Sequence, residues 1–163
     1  MTSIPEFRLI RAKSIDSLAA LAECARAEGF RMVDRLLEEW HSGLHRYDAD
    51  SEPLLLVHFG QEVVGVGGIT RQNTETGRLR RVYVSPMFRR QGVGSVLVEQ
   101  LIRLARPHYK SIVLKTEDAP AAAFYESHGF SRFEGENPLD ATHWLKLSSD
   151  LPNQSQIGSA RRS

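Results

Sequence analysis

The chain has 163 residues, 41% apolar and 25% charged, with a formal net charge of +1. That is enough chain for one hydrophobic core, and the charge is too balanced for a general attraction to nucleic acid or to a membrane. A single cysteine, Cys24, excludes an intrachain disulfide and a cysteine-based metal cluster. No apolar run approaches the ~18 residues a membrane helix needs, and residues 1–11 lack a signal-peptide core, so a cytoplasmic protein is expected.

Residues 7–12 alternate like a strand. Ser14 can cap a helix that carries Leu18, Leu21, Ala22 and Ala25 on one face and stops at Gly29. A second helix from about Arg31 has an apolar stripe of Met32, Val33, Leu36, Leu37 and Trp40 and ends at Gly43. Residues 53–59 and 62–69 read as two strands around a Gly60-Gln61 turn. Residues 71–77 read as a polar loop, and residues 79–84 as the next strand, ended by Pro86. Residues 92–106 form the strongest helix, with Val93, Leu97, Leu101 and Leu104 on one face and Pro107 closing it. A short strand follows at 111–116. Residues 119–128 form a compact helix with Pro120 in its first turn and Gly129 after it. Residues 132–134 and 142–147 read as a closing hairpin.

The order β-α-α-β-β-β-α-β-α-β-β predicts an α/β (α+β) fold. Its centre is a mixed, mostly antiparallel twisted sheet of six or seven strands, with helices on both faces. Strand 79–84, helix 92–106 and strand 111–116 form one parallel βαβ unit. The single domain is expected to span 1–148. The polar residues 149–163 lack periodicity and are expected to form a disordered or loosely docked tail.

One segment carries chemistry on its face. The apolar Val82-Tyr83-Val84 runs into a basic turn, Arg89-Arg90-Gln91-Gly92-Val93-Gly94-Ser95, which opens onto the long helix. Glycines there let backbone approach a ligand closely. The unpaired N–H groups of the first helical turn, aided by the helix dipole, favour an anionic diphosphate, and Arg89 and Arg90 add charge-assisted contacts. The Rossmann fingerprint does not fit, because these glycines follow the fourth strand. No Gly-Lys-Ser/Thr follows the turn, so a Walker loop does not fit either.

This element order and the Arg89-x-x-Gly92-x-Gly94 turn resemble the GNAT superfamily of acyl-CoA-dependent N-acyltransferases. A second segment supports the resemblance: Tyr125-Glu126-Ser127-His128-Gly129-Phe130 is similar to that family's Tyr-Glu-x-x-Gly-Phe signature. The resemblance covers roughly residues 6–148. It implies acetyl-CoA as acyl-donor cosubstrate and direct attack by a primary amine, most simply on a small-molecule acceptor. It places Val82, Tyr83 and Val84 beside the pantetheine arm, with a backbone N–H near Val84 polarising the thioester carbonyl. It places residues 89–95 on the pyrophosphate and gives Tyr125 the role of acid to the departing thiolate. Family members often dimerise, so a homodimer is within expectation. The alternatives are a non-catalytic acyl-CoA-binding module and a protein N-acetyltransferase.

Two positions depart from the family pattern. Asp118 stands where many members have an asparagine contacting the cofactor, so it falls among the cofactor-binding candidates, with helix capping as its other reading. Arg78 stands where many members have a glutamate, and an arginine cannot serve as a base. Arg78 and Arg80 share a strand face and are read as a pair that could bind a carboxylate or phosphate on the acceptor. Candidates to deprotonate the amine are His58, His128, His143, Glu38, Glu75 and ordered water. His41 and His45 lack an evident third ligand, so no metal is expected.

Overall fold

A computed structural model describes residues 6–147; the predicted tail, 149–163, lies outside them. Seven strands form one sheet in the order β1-β2-β3-β4-β5-β7-β6. They are β1 (Phe7–Arg11), β2 (Leu54–Phe59), β3 (Glu62–Asn73), β4 (Thr76–Val84), β5 (Ser111–Leu114), β6 (Ser131–Arg132) and β7 (His143–Lys146). Only β4 and β5 run parallel, because the crossover helix between them returns the chain in the same direction. The closing hairpin folds back so that β7, not β6, pairs with β5.

Four α-helices lie among the described residues: α1 (Ala19–Ala27), α2 (Met32–Ser42), α3 (Val93–Ala105) and α4 (Ala119–Ser127). Strand alternation sorts the core into two layers. Leu54 and Leu56 of β2 face α1 and α2, where they meet Leu21, Val33 and Leu36. Leu55 and Val57 point the other way, against Leu97, Val98 and Leu101 of α3. Each such side chain taken fully out of water contributes about 1.5–3 kcal/mol.

Two local expectations change. The predicted polar loop at 71–77 is a hairpin of two long strands, β3 and β4, joined by Thr74 and Glu75 alone. Its polar residues conceal the strand because they are satisfied in place. Arg71 N–H donates to Glu52 at 2.8 Å, and the Arg71 guanidinium lies 5.1 Å from the Tyr109 ring centre. Gly77 passes so close under Tyr109 that a Cβ would stand 2.8 Å from the ring. The first helix also begins differently. Ser14 accepts a hydrogen bond from Asp16 N at 3.3 Å, and a short 3-10 turn, Asp16–Leu18, precedes α1, which has no side-chain cap.

Candidate active site

The site exists because β4 and β5 part. They pair only at Thr76–Ser111, Gly77–Ile112 and Arg78–Val113. Beyond that point two β4 residues, Arg81 and Val82, stand opposite one β3 residue, Gly67. Arg81 takes a left-handed φ of 59°. Such a bulge bends its strand, and Arg81 is held in it by Glu39 of α2, to which its Nε donates at 3.2 Å. The gap between the strands is a cleft of about 640 Å³.

Strand geometry aims one backbone amide into this cleft. Ser85 N–H donates to Val64 O at 2.8 Å, which makes Val84–Gly65 the non-hydrogen-bonded pair of the antiparallel ladder. The N–H and C=O of Val84 therefore point away from β3, to the side that β5 has vacated. The carbonyl is taken by Arg89 Nε at 3.0 Å. The N–H is left facing the cleft.

The mouth of the cleft is the turn between β4 and α3. Arg90 and Gly92 both adopt left-handed φ, 64° and 81°. A Cβ on Gly92 would meet nothing within 4 Å, so the backbone lies open there. Gly92 is the N-cap of α3 and supplies no side-chain cap, which leaves the amides of Val93, Gly94 and Ser95 without helical partners. The arrangement is a ready-made seat for an anion.

Tyr125 of α4 lines the opposite wall. Its ring packs against Phe124 and Phe130 at 5.2 and 5.8 Å between centres, and burial pushes its phenol above the usual tyrosine range. It therefore stays protonated through neutral pH.

The family model for the GNAT acetyltransferase family matches residues 16–130. The chain belongs to that family. A search of curated proteins found no match. Among solved structures, a proposed acetyltransferase from Exiguobacterium sp. 255-15 is 29% identical, with a TM-score of 0.77 over 86% of this chain and 93% of that one. A GNAT-family acetyltransferase from Staphylococcus aureus Mu50 is 18% identical, with a TM-score of 0.73 over 88% of this chain and 100% of that one. A GNAT-family acetyltransferase from Elizabethkingia anophelis, solved with acetyl-CoA bound, is 16% identical with a TM-score of 0.61, over 86% and 98%.

In this GNAT acetyltransferase the sequence-selected residues divide. Val82, Tyr83, Val84, Arg90, Gly92, Gly94, Ser95 and Asp118 line the cleft with Tyr125. Arg89 also lines it, but its guanidinium is engaged elsewhere, forking onto Glu28 at 2.9 and 2.6 Å. That pairing holds the Glu28 carboxyl below the usual carboxylate range and ties the turn to the end of α1. Tyr83 donates its hydroxyl to the same carboxylate at 2.5 Å. Gln91 and Val93 lie off the cleft: Gln91 donates to Met87 O at 3.1 Å, and Val93 is buried in the core against β-sheet residues. Asp118 caps α4, accepting from Ala121 N at 2.9 Å.

The candidate bases do not gather at the site. Glu75 is paired with Lys110 at the far hairpin, and Glu38 with Arg31 on the exposed face of α2. His143 is fully buried between Thr142 and Glu126, at 2.9 and 2.8 Å. His128 contacts Ser95 Oγ at 3.0 Å, beside the cradle rather than within the cleft. His58 sits on β2 opposite Arg8. Arg78 is withdrawn from the acceptor role predicted for it, because its terminal nitrogens donate to Leu139 O and Asp140 O, each at 2.8 Å. The partners Glu28, Glu39 and Thr70 escaped the sequence reading, since nothing local links them to Arg89, Arg81 and Arg80.

Proposed function

We propose that this enzyme transfers the acetyl group of acetyl-CoA to a primary amine on a small-molecule acceptor by direct attack. The observation that carries the reading is the alignment, along one strand, of the uncapped α3 start with the cleft-facing Val84 N–H. The diphosphate would rest on the amides of Val93, Gly94 and Ser95, with Arg90 beside it. The pantetheine arm would lie along Val82–Val84, taking the place of the absent strand. An Elizabethkingia relative with acetyl-CoA bound supports this donor.

In the reaction the amine nitrogen bonds to the thioester carbon, and the carbonyl oxygen becomes an oxyanion. Val84 N–H donates to that oxygen, an interaction worth about 3–4 kcal/mol in comparable sites. The C–S bond then breaks, and the thiolate takes the Tyr125 proton. The cleft walls hold no histidine, and their one carboxylate, Asp118, is engaged as a helix cap. The amine's proton therefore passes to solvent water. The reading extends to a single domain over 1–148, a cytoplasmic location, and a homodimer as the assembly to be tested.

Calorimetry with acetyl-CoA, followed by a free-thiol assay over a panel of amines, tests the proposal. Saturable binding and amine-dependent thiol release are expected. Absence of nucleotide binding, or thiol release that no amine accelerates, would overturn it.

A further inference from the structure

Three consecutive cation-bearing positions of β4 meet different fates. Arg78 is buried and saturated by the carbonyls of Leu139 and Asp140 and by Gln72. Arg81 is neutralised by Glu39. Arg80 has neither a carboxylate partner nor, unlike Arg78, carbonyls for its terminal nitrogens among the described residues. Its Nε donates to Thr70 Oγ1 at 2.8 Å, which fixes the plane of the guanidinium. Its two terminal nitrogens have no protein acceptor there and are not sealed from solvent, and Arg80 lines the cleft.

The position of Arg80 makes this informative. It stands four residues up β4 from Val84, about 13 Å at strand rise, toward the closed end where β4 and β5 rejoin. A donor seated on the α3 amides and running up β4 points its acyl group this way. His45 and Tyr47 feel the Arg80 charge, together with those of Glu39 and Glu52, and Arg78 and Arg81 stand on the same strand as Arg80. Burial, and then the Arg80 charge, hold His45 below the usual histidine range, so it stays neutral and brings no counter-charge. Tyr47 is 3% exposed, and its hydroxyl has no partner among the described residues. A half-buried guanidinium with no carboxylate bonded to it is costly, and a preset fork with two open donors matches an oxyanion in bidentate fashion.

We infer that the acceptor amine carries an oxyanionic group, carboxylate or phosphate, which Arg80 binds at the inner end of the cleft. The inference rests on the acetyltransferase reading and adds the class of acceptor to it.

The test uses matched amines that differ only in the anion: an α-amino acid and its carboxamide, and an aminoalkyl phosphate and its amino alcohol. Thiol release is measured alongside thermal protection of the CoA-loaded protein. The wild type should favour the anionic member of at least one pair by tenfold or more in kcat/KM, and the favoured pair tells carboxylate from phosphate. Arg80→Gln should erase that preference, chiefly by raising KM, while acetyl-CoA affinity by calorimetry stays within twofold as the control for folding. Arg80→Lys should restore only part of it. The inference is overturned if the wild type accepts neutral and anionic members equally, if none of the four is turned over or protects, or if Arg80→Gln keeps the preference. Acetyl-CoA binding with transfer to neutral amines would sink this inference alone; loss of acetyl-CoA binding in the wild type would sink the acetyltransferase reading itself.

Discussion

The two ends of the β4 cleft are built from different materials. At the mouth, the open donors belong to the backbone: a left-handed Gly92, uncapped α3 amides and the Val84 N–H. At the inner end, the charged groups are side chains, and each arginine is defined by a partner on another segment, Thr70, Glu39 or Leu139. A backbone-built site follows from a few adjacent residues. A side-chain site depends on what the fold brings opposite, so it can diverge while the mouth stays the same.

Three substitutions would break or sharpen this contrast. The largest effect is expected of Tyr125→Phe, which removes the proposed acid and leaves the turn before α3 intact. Turnover should fall by about 10²–10⁴-fold, with acetyl-CoA affinity within twofold by calorimetry. A variant that keeps wild-type kcat would remove Tyr125 from the chemistry. Next is Gly92→Val. A β-branched residue at φ 81° is strained by about 1–3 kcal/mol, and the turn must shift to relieve it. Acetyl-CoA should bind roughly tenfold more weakly with little change in acceptor KM. An equal loss on both substrates would mean that the two ends are not separable.

The smallest effect is expected of Glu28→Gln. Arg89 lowers the Glu28 carboxyl pKa in the folded protein, so its stabilising contribution is present above the ordinary carboxylate pKa of about 4.3. It is lost as pH falls through the depressed folded value. Wild type should therefore exceed the variant in urea midpoint near neutrality, and the two curves should converge as the medium is acidified below pH ~4. A gap that persists unchanged in acid would show that Glu28 acts by packing rather than by charge.

The fold was legible wherever apolar periodicity was clean. The stripes of α2 and α3, the strands read at 53–59 and 79–84, which fall in β2 and β4, and the parallel βαβ unit all stand where the pattern places them. It failed at 71–77, where polar side chains are satisfied by Glu52 and by the Tyr109 ring and so look like loop. At the site, Gly92, Gly94, Ser95 and Tyr125 do line the cleft. Arg89 reads as a phosphate ligand from its place in the turn, yet its guanidinium forks onto Glu28, 61 residues away. Arg78 and Arg80 look equivalent on a strand diagram. What separates them is the set of partners each meets: the 139–140 carbonyls, 61 and 62 residues downstream, for Arg78, and Thr70 for Arg80.

The Arg78 contacts also bear on mechanics. β4 belongs to the antiparallel half of the sheet that begins at β1, whereas Leu139 and Asp140 lead into β7, on the far side of β5. Arg78 thus works as a cross-tie over the seam between two half-sheets whose strands pair at only three positions. Spreading the seam would strip two charge-assisted hydrogen bonds from a guanidinium that is 8% exposed. The cleft is thereby pinned at its closed end, and any widening falls to the open end, where β4 and β5 no longer pair.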